Sequence, residues 1–237
     1  MVHGKGSLIN KMPGSYEEKF AGVRSFLGYM MAHPGKKLTF MGCEFGQFKE
    51  WDYESGLDWL LLDYESHRML QHYVASLNHF YRENPALWEN DFSWDGFSWI
   101  AHDDYSQSVI AFRRIDHRGK ELIAVCNFTP VRRDSYRIGV PVHGTYTEVF
   151  TTDAAEFGGG GILNGTLDSE KEPMHGLEQS LSLTLPPLSV IFLKLKRAKP
   201  VRKNTAGTRS ASSAKGKAAK PAKPARKKTG SRTKGGA

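Results

Sequence analysis

The apolar positions change rhythm along the chain. Between residues 16 and 31, Phe20, Val23, Phe26, Leu27, Met30 and Met31 recur every three or four places, the repeat of one helix face. Ser15-Tyr16-Glu17-Glu18 opens this stretch as a capping box: the Ser15 hydroxyl takes the amide of Glu18, whose carboxylate reaches back. Pro34, in His33-Pro34-Gly35, disfavours helix at the residue before it and predicts the stop. Residues 37–41 then form a short apolar run of strand length. A second helical repeat over 66–83 carries Met69, Leu70, Tyr73, Val74, Leu77 and Phe80, and Asn84-Pro85 ends it.

Beyond Pro85 the pattern becomes one of short runs: 97–100, 108–113, 121–128, 136–140, 146–150, 181–185 and 190–195. Seven such runs with turns between them predict an antiparallel sandwich or barrel. Asp103 and Asp104 read as hairpin caps rather than an acid–base pair. Gly158–Gly161 reads as a flexible run without the spacing of a dinucleotide fingerprint. The helix–turn–strand–loop order before residue 84 is one step of a parallel α/β sheet. The predicted fold class is therefore α/β plus all-β, with domains at 1–84 and 85–197.

Composition changes this picture at one end. The formal charge of the 237 residues is +8, yet residues 198–237 hold thirteen Lys or Arg, no carboxylate and no aromatic. Taking the tail's +13 from that total leaves residues 1–197 at −5. A Lys/Ala/Pro-rich segment with nothing to bury cannot offset the entropy of ordering, so 198–237 is expected to be disordered. It can attract polyanions such as nucleic acid through counterion release. Elsewhere, 39% apolar and 11% aromatic residues supply a core. Cys43 and Cys126 lie in or beside apolar runs, which favours free, buried thiols. No apolar run approaches the ~20 residues of a membrane span, and no signal-peptide core follows Met1. A cytoplasmic protein is expected.

Candidate chemistry concentrates in residues 40–51, Phe-Met-Gly-Cys-Glu-Phe-Gly-Gln-Phe-Lys-Glu-Trp. Parallel α/β folds bind ligands beyond the carboxyl ends of their strands, and here a strand-like run opens into Glu44, Gln47, Glu50 and Trp51. Carboxylates and amides bond sugar hydroxyls in pairs, while an indole covers the apolar face of a pyranose. A plain turn-capping role for the same polar residues is the alternative. His67, His72 and His79 are five and seven apart, not the three or four that place two metal ligands on one helix face, so no metal site is expected.

The residues also resemble a known family. Val2-His3-Gly4-Lys5, Lys11-Met12-Pro13-Gly14, Ala32-His33-Pro34-Gly35-Lys36-Lys37, Phe40-Met41-Gly42 with Glu44-Phe45, and Leu57-Asp58-Trp59 are similar to the C-terminal part of bacterial glycogen branching enzymes, in the α-amylase superfamily. Pro85-Ala86-Leu87-Trp88, residues 125–130 and residues 180–187 continue the match. The resemblance implies the last helix–strand–helix portion of a (β/α)8 barrel, with its final strand at 37–41, then an all-β C-terminal domain. It implies transfer of an α-1,4-glucan segment to a 6-hydroxyl by a retaining mechanism that uses paired carboxylates, without a cofactor. In the family a His-Asp-Glu motif precedes the Val-His-Gly-Lys stretch, where Met1 stands here. All three catalytic carboxylates are therefore expected upstream, and no catalytic residue is assigned. Glu44, Gln47, Glu50 and Trp51 become glucan contacts. Cys43 departs from the polar residue expected there.

Two further expectations follow. The chain reads as a truncated gene model or split gene whose partner is the preceding part of the enzyme. Cut from its barrel, it is expected to leave the apolar helix faces at Phe20, Phe26 and Tyr73 bare, with the β domain the more independent folding unit and the α/β part packed against it. Competing functions are a non-catalytic glucan-binding module using Trp51, Trp59 and the β domain, and polyanion binding through the tail.

Overall fold

The computed structural model describes residues 4–198. Helix α1 spans Tyr16–Ala32, and its capping box forms: Glu18 N donates to Ser15 Oγ at 3.2 Å and Ser15 N to Glu18 Oε2 at 2.7 Å. Helix α2 spans Glu65–Glu83. The segment between them is irregular, with short 3₁₀ turns at Cys43–Phe45 and Trp59–Asp63. The strand expected at 37–41 is not formed: these residues pair with none of the strands, and Leu38 is 77% exposed. A parallel barrel strand exists only between two neighbours, and no such neighbours occur among the described residues.

Among the described residues eight strands follow instead of seven: β1 Phe97–Asp104, β2 Val109–Ile115, β3 Glu121–Asn127, β4 Arg133–Val140, β5 Gly144–Thr151, β6 Thr166–Asp168, β7 Gln179–Leu185 and β8 Ser189–Ala198. The unforeseen β6 is three residues long and exists by pairing with β5, Tyr146 opposite Leu167. One sheet has six strands in the order β1-β2-β3-β8-β5-β6, and β4-β7 form a second sheet, with every pairing antiparallel. Asp104 caps the β1–β2 turn, its carboxylate accepting from Gln107 N, Ser106 Oγ and Tyr136 Oη.

The six-stranded sheet is covered on both faces. Val109, Ala111, Val125, Ile191 and Leu193 face the β4-β7 sheet through Ile138, Leu181 and Leu183. Their neighbours Phe112, Leu122, Ala124, Cys126 and Phe192 face the other way, onto Ala32 and Phe80 of the helices. Double coverage explains why β3 is buried from Leu122 to Asn127 without alternation. A third cluster, around Phe20, Val23, Leu27, Leu70 and Leu77, joins α1 to α2.

The helices are thus part of the same compact unit as the sandwich. Phe80 of α2 stacks on Phe150 with centroids 4.7 Å apart. Gly28 of α1 lies so close to the sheet that a Cβ there would fall 2.8 Å from Thr152 Cγ2. Arg24 Nε donates to Thr152 O at 3.1 Å, and the Tyr73 hydroxyl donates to Arg24 O at 2.7 Å. Phe20 and Tyr73, expected to be bare, are accordingly buried, while Phe26 is 43% exposed. The run Gly158–Gly161, expected to be flexible, is held by Asp153, whose carboxylate accepts from Gly160 N and Ile162 N while its carbonyl takes Gly161 N. Local sequence could not reveal this, because the anchor is a side chain on the preceding turn. Cys43 and Cys126 are both buried and neither is in a disulfide, and burial pushes the Cys126 thiol well above its ordinary range. The expected disorder and polyanion binding of 199–237 lie outside the described residues.

Candidate functional site

The loop between the helices is folded by its glycines. Gly42 and Gly46 flank the 3₁₀ turn with φ of +80° and +73°, the left-handed region that glycine enters without penalty. Both positions are also crowded: a Cβ would meet Gln47 Cβ at 2.8 Å from Gly42, and Leu70 Cδ2 at 2.9 Å from Gly46. Gln47 N donates to Gly42 O at 2.9 Å, closing the turn. Phe45 is buried beneath it, stacked on Trp59 at 5.2 Å. Its carbonyl bonds His67 Nδ1 at 2.7 Å, so His67 is a buried packing residue of α2.

The four candidate contact residues divide into two pairs. Gln47 is 4% exposed and braces the loop: its Nε2 donates to Lys49 O at 3.1 Å and its Oε1 accepts from Asp58 N at 2.9 Å. Glu50 accepts the amides of Gly4 and Gly6, fastening the first residues of the described chain to the loop. Glu44 is half-buried on the 3₁₀ turn; burial raises the Cys43 thiol, a backbone hydrogen bond at Phe40 opposes it, and the Glu44 charge adds to the rise. Trp51 is half-buried edge-on against Phe40 at 5.4 Å, with Tyr53 beyond it at 6.4 Å. Gln47 and Glu50 therefore shape the loop that carries Glu44 and Trp51.

A concavity of about 340 Å3 opens beside this loop, lined by Phe26, Leu27, Leu38, Phe40, Cys43 and Trp51 among others. Its walls are mostly apolar. Tyr53, Leu60 and Trp59 are also exposed, at 80%, 79% and 57%. Sequence reading singled out the carboxylates and the indoles, but not Leu38, Phe40 or Leu60 as exposed, since apolar residues in a strand-like run read as core.

The architecture agrees with what comparison with known proteins finds. Residues 99–196 match the family of the alpha amylase C-terminal all-beta domain. More particularly, the chain matches the C-terminal portion of bacterial 1,4-alpha-glucan branching enzymes. It is 59% identical over 196 residues to the 1,4-alpha-glucan branching enzyme GlgB of Aquifex aeolicus, and 54% identical over 196 residues to that of Halothermothrix orenii. Each match covers 82% of this chain and 31% of the relative, so the chain spans about a third of the length of these curated relatives. Among solved structures, Ttha1563 from Thermus thermophilus aligns with a TM-score of 0.54 at 20% identity, over 80% of this chain and 33% of that one. A variant of AmyP in complex with maltotriose aligns with a TM-score of 0.54 at 16% identity, over 78% and 37%. At such identities these two structures speak for the fold. No helix among the described residues is long and apolar enough to cross a membrane.

Proposed function

We propose that the chain serves a 1,4-α-glucan branching enzyme of glycogen biosynthesis, the transferase that moves an α-1,4-glucan segment onto a 6-hydroxyl. In this reading residues 1–84 are the end of a (β/α)8 catalytic barrel, 85–197 its all-β C-terminal domain, and 198–237 a basic tail. The catalytic carboxylates come from polypeptide outside these 237 residues. Glu44 and Trp51 touch glucan at the cleft rim, with Gln47 and Glu50 holding the loop that presents them. The protein works in the cytoplasm, where its glucan is made. The observation that carries the reading is 59% identity sustained across 196 residues, through both the helical part and the sandwich. The apolar strip at Leu38, Phe40 and Trp51 supports it as the contact for the rest of a barrel.

The purified chain, incubated with amylose and followed by iodine spectrum and debranching, is expected to form no α-1,6 linkages. Added to a separately expressed polypeptide covering the preceding part of the Aquifex enzyme, it is expected to restore them. Branching by the chain alone, or failure to complement, would overturn the proposal. The second reading, a glucan-binding module without chemistry, is favoured by exposed aromatics beyond the loop: Phe92 and Trp94 are 83% and 81% exposed. Retention on glycogen without complementation would favour that reading.

A further inference from the structure

A small cavity of about 50 Å3 lies where α1 and the start of α2 meet the 3₁₀ turn at Ala155–Phe157, beyond β5. Arg24 and Glu17 come from α1, Ser66 and Met69 from α2, and Phe20 and Phe157 add apolar wall. Arg24 stands apart from the rest. It is 5% exposed, and of its guanidinium only Nε is engaged, donating to Thr152 O at 3.1 Å. Nη1 and Nη2 make no hydrogen bond or ion pair among the described residues, and neither is sealed off by protein atoms. Nη1 lies at the cavity wall: a Cβ on Gly158, which also lines the space, would be 3.7 Å from it.

The carboxylates nearby are held elsewhere. Asp153 acts on Arg24 from a distance, but its oxygens take Gly160 N and Ile162 N at 2.8 and 3.1 Å. Glu17 is exposed at the rim, with one oxygen on Ser15 Oγ at 3.1 Å. A buried cation without a counterion is costly, and burial holds the Arg24 guanidinium below its ordinary value, with Tyr73 and Asp153 opposing. The start of α2 adds an independent signal. Its N-cap, Tyr64, supplies no side-chain acceptor, and Ser66 Oγ in the first turn has no hydrogen-bond partner among the described residues. An uncapped helix start carries unsatisfied N–H donors and a partial positive charge. Donors thus meet the cavity from two elements, and no acceptor answers them.

The volume exceeds the roughly 10–15 Å3 that one water needs and falls far below the ~300–1,000 Å3 of organic-ligand pockets. We propose that this cavity binds one small inorganic monoanion of the halide class, with chloride the natural occupant, between the Arg24 guanidinium and the Ser66 hydroxyl. The anion neutralises Arg24 where α1 is tied to the sandwich through Thr152 O, so it fastens the helices to the sheet they cover. The site does not depend on the branching reading.

Chloride-35 NMR line widths of the full 237-residue chain, with sodium gluconate holding ionic strength constant, test it. A saturable excess width is expected, equivalent to one site per chain and displaced by bromide. Urea midpoints should rise with chloride over the same concentrations. Arg24→Met is expected to lose about tenfold or more in chloride affinity. Ser66→Asp, which places a carboxylate where the anion sits and on a helix start that favours one, is expected to remove the excess width while keeping a high midpoint in gluconate alone. That variant serves if Arg24→Met disturbs folding. The basic tail attracts chloride equally in wild type and variants, so their difference reports the cavity. No saturable width, or a width unchanged in both variants, would overturn the proposal. So would chloride binding that appears only in Glu17→Gln, because Glu17 would then be the counterion of Arg24.

Discussion

Arg114 of β2 is fully buried, and its guanidinium is spent on three acceptors: Asp91 Oδ1 at 2.6 Å, Ala32 O at 2.8 Å and Gly96 O at 3.2 Å. Breaking a buried pair strands the remaining charge, at a cost of about 3–5 kcal/mol, whereas replacing both members with apolar groups is often near neutral. Asp91→Ala is therefore expected to destabilise the chain by about that much in urea unfolding, and Asp91→Leu with Arg114→Met by clearly less. Gly28 provides a second residue-level test. Glycine to alanine inside a helix ordinarily gains about 1 kcal/mol, but here the new methyl meets buried Thr152 Cγ2 at 2.8 Å. Gly28→Ala is expected to lose about 1–3 kcal/mol by overpacking, and adding Thr152→Ser, which removes that Cγ2, to recover part of it. Neither role was legible in the sequence. Arg114 follows Arg113 in a strand, and nothing local says which of the two points inward. Gln47 and Glu50 were legible as a polar cluster, but spacing does not tell a ligand contact from a brace.

At the scale of elements, the features that local chemistry dictates were readable. The Ser15–Glu18 box lies within four residues and forms as written, and the long strand runs needed only their own pattern. Elements that exist through partners were not: residues 37–41 have the composition of a strand but no neighbour, and β6 has a neighbour but almost no pattern. The end of α1 shows how such partners act. Its last carbonyls carry the negative end of the helix dipole, and cations meet them: Arg114 on Ala32 O and Lys37 Nζ on His33 O. Burial, with Arg114 and Lys36 nearby, pushes Lys37 down to about 8 against the pull of Asp91. Below that pH the folded and unfolded chains both hold the proton. From about pH 8 up towards 10.5 the unfolded chain binds it and the folded chain has released it, so stability rises with pH across that window. In Lys37→Gln this contribution should vanish, which urea midpoints measured at about pH 7.5 and about pH 10 would reveal as a flatter profile.

For the molecule as a whole, the decisive feature is which apolar surface is covered and which is not. One face of the six-stranded sheet is closed by β4-β7 and the other by the helices, so the sandwich shares its core with residues before Pro85. Leu38, Phe40 and Trp51, by contrast, line an open apolar concavity. Contiguous exposed patches of this kind drive association. The purified chain is expected to sediment as concentration-dependent assemblies, and Leu38→Glu with Phe40→Ser to shift it towards the monomer. Unchanged sedimentation in the double variant would show that this strip is not the adhesive surface.

The lock between Arg114 and the end of α1 also bears on how these proteins can be recombined. A crossover placed at Asn84-Pro85, where the sequence invites a cut, would part Arg114 from Ala32 and Phe80 from its stacked partner Phe150. A chimera that borrows this C-terminal domain from a relative should be joined upstream of Ser15, so that both helices travel with the strands they cover.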